Sequence, residues 1–311
     1  MAAGGGGEIP GANRVEPAWR VDAHHHLWDL ATRPQPWTEG EPSLARSFSF
    51  EDLRGHLDRH GIAAGVVVQT VAVAAETPEL LALAAAEARI AGVVGWVDLE
   101  RPGAGEAIAA LREGPGGARL VGVRHLVQDE PDPAWLARPA VRAGLGAVGD
   151  AGLVYDLLVR PRQLEAAIAA VAALPGVRFV LDHAGKPEIA AGGLEPWRGL
   201  VGRLAALPNV AVKLSGLVSE ADRARWSIEQ LRPFAEVVLE AFGPERVMFG
   251  SDWPACLPAA GYDQVFEAAQ ACCAGLGPAE TSAVFAGTAR AWYRLEVPGV
   301  PGVPEVPGEP Q

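Results

Sequence analysis

Eight short apolar runs, centred near residues 20, 64, 92, 121, 154, 178, 210 and 247, recur along this chain at intervals of about 25 to 45 residues. The segments between them, such as FEDLRGHLDRHG, ETPELLALAAAEARI, RQLEAAIAAVAALPG and IEQLRPFAEVVLEAFG, are rich in strong helix formers. Several end in glycine, which readily takes the left-handed conformation at a helix terminus. Strands as apolar as AGVVVQT and VRFVL lack the alternation of a half-exposed sheet, so both their faces are buried, as in a parallel sheet covered by helices. Eight strand and helix repeats favour closure into a (β/α)8 barrel, an α/β fold. An open doubly wound sheet would place a glycine-rich phosphate turn after the first strand; histidines stand there instead.

The chain has 311 residues, a length that an α/β barrel occupies as one domain. Residues 1–17 read as a flexible leader without the basic start and apolar core of a secretory signal. Residues 18–296 form the barrel, and 297–311, with proline every few residues, read as an extended, disordered tail. A formal net charge of -12 with no basic run argues against a nucleic-acid partner, since phosphate affinity comes from clustered Lys and Arg. The most apolar region, ELLALAAAEARIAGVVGWVDL, contains Glu79, Glu87 and Arg89 and divides into a helix and a strand, so no membrane span is expected. Cys256, Cys272 and Cys273 show no metal-ligand spacing and are expected to stay reduced in a cytoplasmic protein. A small molecule is the expected partner, bound by a monomer or homodimer.

Polar residues concentrate at the carboxyl ends of the strands, the rim where barrel enzymes do their chemistry. In WRVDAHHHLW, strict alternation places Asp22, His24 and His26 on one face. Closure sets the first strand beside the eighth, which ends in Asp252, so two imidazoles and a carboxylate can meet with an open position, the pattern of a catalytic zinc site. In LDHAGKP, alternation groups His183 with Leu181 and turns Asp182 the other way. Arg124 and Lys213 are cations inside apolar strands, where an unpaired charge costs several kcal/mol, so each needs an anion or an open cavity. Only one of Arg124 and His125 can face the interior, and Tyr155 and Asp156 pose the same choice. Gln69 ends its strand as a possible donor to substrate. Trp28, Trp37 and Trp253 lie in or beside rim loops, where they could stack on a sugar ring or close the barrel end.

The segments VDAHHHLWD, VVVQT, IAGVVGWVDL, GVRHLV, YDLLVRP, LDHAGKP, VKLSGL and MFGSDWP together resemble the amidohydrolase superfamily over about residues 20 to 295. The resemblance is closest to its lactonase-like branch, which includes L-fuconolactonase and a pyrone dicarboxylate lactonase. It implies a barrel that hydrolyses a lactone, with His24 and His26 as the HxH of the first strand, His183 as the later histidine and Asp252 activating water. It further implies that Arg124 and Lys213 face substrate; Tyr155, Trp28 and Gln69 are carried with them as substrate contacts. The fourth strand has no bridging lysine and the fifth no histidine, so a two-metal centre is not expected.

The expected reaction is opening of a small sugar-acid lactone. Asp252 acts as general base, and His24, His26 and His183 either stabilise the oxyanion or join Asp252 in holding one divalent ion, zinc first. A lactone is an activated ester, so the ion could be dispensable. The alternative enzymatic reading is metal-dependent nonoxidative decarboxylation of a small unsaturated or aromatic acid; a barrel that binds a ligand without turnover is the third.

Overall fold

The computed structural model describes residues 19–297 and places a strand at each of the eight expected positions. These are β1 (Arg20–His25), β2 (Ile62–Val68), β3 (Ile90–Gly95), β4 (Leu120–His125), β5 (Val154–Leu157), β6 (Arg178–Leu181), β7 (Val210–Leu214) and β8 (Val247–Phe249). Helices follow in alternation: α1 (Phe50–Arg59), α2 (Glu76–Ala86), α3 (Ala104–Glu113), α4 (Pro139–Asp150), α5 (Leu164–Ala173) and α6 (Trp197–Ala205). After β7 come α7 (Leu217–Glu220) and α8 (Ile228–Phe242), and after β8 come α9 (Tyr262–Cys272), α10 (Pro278–Ser282) and α11 (Thr288–Tyr293). The expected leader and all but one residue of the expected tail lie outside the described residues.

All neighbouring strands pair in parallel in the order β1 to β8. The ring closes at the carboxyl end of the seam: Asp252 N donates to His24 O at 2.8 Å and His26 N to Trp253 O at 2.7 Å. Asp22 fastens the same seam from the helix side, its carboxylate accepting from Ser251 N at 2.9 Å, Ser251 Oγ at 2.6 Å and Tyr262 OH of α9 at 3.2 Å. Burial pushes the Asp22 carboxyl up to about 6, partly countered by these bonds.

Two apolar shells hold the barrel. Val67, Val93, Val123, Tyr155, Phe179, Val212 and Phe249 face the helices, while Val66, Val68, Val154, Val180, Ala211 and Met248 face inward. Local signals set the helix starts: the Ser49 hydroxyl accepts from Asp52 N, and the Asp52 carboxylate accepts from Ser49 N at 2.9 Å, a reciprocal cap opening α1. Among the described residues no helix is long and apolar enough to cross a membrane.

Candidate active site

β1 does not obey strict alternation. Asp22 pairs with Gly65 and His25 with Val67, so β1 advances three residues where β2 advances two, a bulge that reverses which face each later residue presents. Val21 and Ala23 therefore face inward and Asp22 outward, and beyond the bulge His24 and His26 turn inward. This corrects the expectation that Asp22 shares a face with both histidines. His25 points to the helix side over Gly65, where an added Cβ would lie 2.5 Å from the ring. Burial drives its imidazole down to about 3.

Three imidazoles and a carboxylate meet at the rim. His24 Nε2 and His26 Nε2 are 3.2 Å apart. Asp252 Oδ1 stands 3.4 Å from His26 Nε2 and 3.8 Å from the Nε2 atoms of both His24 and His183. His183 and Asp252 reach these positions through left-handed backbone, φ 51 and 57 respectively. Non-glycine residues held there store strain that tends to be kept at functional sites. The turn at His183 explains a second correction: the chain leaves β6 after Leu181, so Asp182 and His183 both point to the interior instead of opposing each other.

Beneath the histidines lies a fully buried charge cluster. Lys213 Nζ contacts Asp156 Oδ2 at 2.5 Å and Asp182 Oδ1 at 3.0 Å, and Arg124 Nη1 contacts Asp182 Oδ2 at 3.1 Å. Two cations thus balance two carboxylates, the partners that their burial requires. Both cations also touch His24: Lys213 Nζ approaches its Nδ1 at 3.2 Å and Arg124 Nη1 its Nε2 at 3.3 Å. Burial and the Lys213 ammonium hold His24 well below its ordinary range, and burial takes His183 down to about 4. Burial raises Asp252, but His183 and the other imidazoles more than offset it and hold the carboxyl below its usual range. Burial thus disfavours protonation of His24 and His183 beside the Asp252 carboxylate.

The structure brings His24, His26, His183 and Asp252 together, with Arg124 and Lys213 packed against His24. Arg124 faces the interior while His125 stacks outside on Trp135, ring centroids 4.3 Å apart. Arg124 contacts Asp182, the Gln69 carbonyl and His24, and Lys213 contacts Asp156, Asp182 and His24. Asp156 is the inward member of its pair; Tyr155 points into the helix-facing core against Phe179. Gln69 braces Arg124, its carbonyl accepting from Nη2 and its Nε2 donating to Arg124 O at 3.2 Å. Trp28 packs edge-on to Phe48 and Trp37 and donates to Arg46 O at 2.8 Å, closing the loop after β1. Asp182 is the contributor that sequence reasoning misses; its signal is a carboxylate at an otherwise apolar strand end.

The donor set fits one divalent cation. His26 Nδ1 lies 2.7 Å from Val68 O, an acceptor, so Nδ1 carries the proton and Nε2 presents a lone pair. His183 Nδ1 is 2.9 Å from Ser215 Oγ, leaving its Nε2 toward Asp252. Ligand atoms on a tetrahedral zinc, about 2.05 Å from the ion, lie about 3.3 Å apart; those of His24, His26 and Asp252 lie 3.2, 3.4 and 3.8 Å apart, and His183 Nε2 is 3.8 Å from Asp252. Small residues make room for it. A Cβ on Gly250 would fall 2.7 Å from His24 Cβ, and one on Gly216 would fall 2.8 Å from His183 Nδ1. Gly250→Ala is expected to displace His24 and lower kcat by at least about 10-fold, as loss of an outer support does; steady-state kinetics at parent-like turnover would contradict this.

The family model described as Amidohydrolase matches residues 21–295. The chain is 40% identical over 293 residues to L-fucono-1,5-lactonase of Burkholderia multivorans, spanning 90% of this chain and 98% of that one. It is 36% identical over 285 residues to L-fucono-1,5-lactonase of Burkholderia ambifaria, spanning 90% and 97%. A crystal structure of a Burkholderia multivorans amidohydrolase with bound zinc matches with a TM-score of 0.84 at 40% identity, covering 89% of this chain and all of that one.

Proposed function

Because the chain belongs to the amidohydrolase family, we propose that it opens the ring of a small sugar-acid lactone by activating water at the His24, His26, His183 and Asp252 cluster. The observation that carries this reading is the convergence of three imidazole Nε2 atoms on one carboxylate oxygen at the barrel rim, in a chain similar along its whole barrel to sugar-acid lactonases. His24, His26 and Asp252, with His183 beside them, would hold one divalent ion, zinc first; a similar amidohydrolase was solved with bound zinc. An ion bound there supplies a Lewis acid for the lactone carbonyl and a lower pKa for water.

The residues of the chain itself account for the proton transfers. Asp252, ionised and the least enclosed of the four charged groups nearest the rim histidines, takes the proton as water oxygen bonds to the carbonyl carbon. The carbonyl oxygen gains charge facing the imidazole cluster, whose orientation is fixed in advance by Val68 O, Ser215 and Asp182. As the bond to the ring oxygen breaks, the proton held by Asp252 passes to that oxygen, giving a hydroxy acid. Arg124 and Lys213 act through His24 in this scheme. We take residues 18–296 as the barrel domain and place the protein in the cytoplasm, where the buried free thiols Cys256, Cys272 and Cys273 would stay reduced.

The test is proton release during turnover of five- and six-membered aldonolactones, beginning with L-fucono-1,5-lactone, with and without a chelator. At least one lactone should be consumed, and the chelated enzyme should turn over more slowly until zinc is restored. A panel in which none is consumed would sink the reading, and release of carbon dioxide from an unsaturated acid would replace it.

A further inference from the structure

We propose that Tyr293, on the last helix of the barrel, is a positioning residue for His24. The proposal rests on the lactonase reading of the site. The inward positions of several strands are small: Ala64, Ala211 and Gly122 leave a space that strand side chains do not fill. Tyr293 occupies it from α11, almost wholly buried, with its Cε1 only 3.6 Å from where a Cβ on Gly122 would lie.

From there a continuous chain of polar contacts climbs to the rim. The Tyr293 hydroxyl donates to Asp156 at 2.7 Å from one oxygen and 2.9 Å from the other. Asp156 receives Lys213 Nζ at 2.5 Å. The ammonium donates to Asp156 Oδ2 and to Asp182 Oδ1 at 3.0 Å; the same Asp182 oxygen lies 3.4 Å from His24 Nδ1, and Nζ itself packs 3.2 Å from that nitrogen. The ammonium also sits 5.4 Å from the centre of the Tyr293 ring, so the tyrosine locates it twice, through the hydroxyl and through the ring face.

The physical need is clear from the stem. Lys213 is a flexible four-carbon chain whose head would otherwise find its place only by charge. A carboxylate fixed by a phenol restricts the ammonium, and the ammonium in turn holds the Asp182 oxygen that faces His24 Nδ1. Tyr293 reaches neither substrate nor rim, so its effect on chemistry passes through Asp156 and Lys213.

Tyr293→Phe removes one oxygen and keeps the ring. It should lower kcat per folded molecule by roughly 10- to 100-fold, as loss of an outer-shell partner does, with KM unchanged, and should weaken zinc binding measured by competition with a chromophoric chelator. Trp292→Phe, on the same helix and comparably buried, is the control and should shift only the melting temperature. If Tyr293→Phe and Trp292→Phe leave kcat and zinc affinity alike at parent values, the inference is overturned. Should Tyr293→Phe fail to fold, Asp156→Asn carries the test, with the same fall in kcat expected and parent-like kcat overturning it. A parent enzyme that hydrolyses no lactone would defeat the functional reading instead, and the zinc measurement would still decide this one.

Discussion

An Asp252→Asn variant is expected to fold like its parent and to lose turnover by about 10²- to 10⁴-fold, the range that a positioned general base contributes. Asparagine suits the position for a conformational reason: Asp252 has φ 57, and Asn is among the few side chains that tolerate this left-handed region. The backbone bond from Asp252 N to His24 O, which helps close the barrel, is retained. What disappears is the negative charge of the group that faces all three imidazoles. Proton transfer from water then has no acceptor, so kcat should fall while KM changes little. Zinc affinity should fall as well, since one of four donors becomes a weaker ligand. Saturating zinc separates the two effects: if added metal restores parent turnover, Asp252 serves as ligand and not as base. Near-parent kcat without added metal would remove it from the chemistry altogether.

Lys213→Met is expected to cost about 3 to 5 kcal/mol of stability, because it strips a shared cation from two carboxylates that have no access to water. Methionine fills much of the same volume, so the loss reports charge and not a cavity. For a barrel of this size the melting temperature should fall on the order of 10 °C. A second change, Asp156→Asn, should recover part of the loss by removing one of the stranded negative charges, with Asp182 still held by Arg124 at 3.1 Å. The double variant should then be more stable than Lys213→Met alone, a coupling that a double-mutant cycle of unfolding energies measures. Strict additivity, or a single variant as stable as its parent, would mean that the buried charges are not the network their distances describe.

Part of the site is legible in the amino-acid sequence and part is not, for reasons that particular residues make plain. His24, His26 and Asp252 are readable because each ends an apolar strand, and strand ends of a barrel share one rim. His183 is readable on the same ground, although strict alternation gives it the wrong geometry. The parity of Arg124 against His125 and of Tyr155 against Asp156 is not readable, since neighbouring strand residues point oppositely and only the register of the closed barrel selects one. Asp182 escapes because alternation carried one residue past the end of β6 enters backbone that has already turned.

The sequence by itself determined the architecture: eight apolar runs buried on both faces, separated by helix formers, admit few arrangements, and burial is dictated by composition over many residues at once. Tertiary structure alone decided which side of the barrel wall each polar group occupies. One extra residue in β1 reverses every later side chain of that strand, and such a bulge depends on how β1 meets β2 and closes against the end of β8, contacts between residues far apart in the chain. Tyr293 is the extreme case: nothing in its local sequence marks it, and only the packing of α11 places its hydroxyl on Asp156.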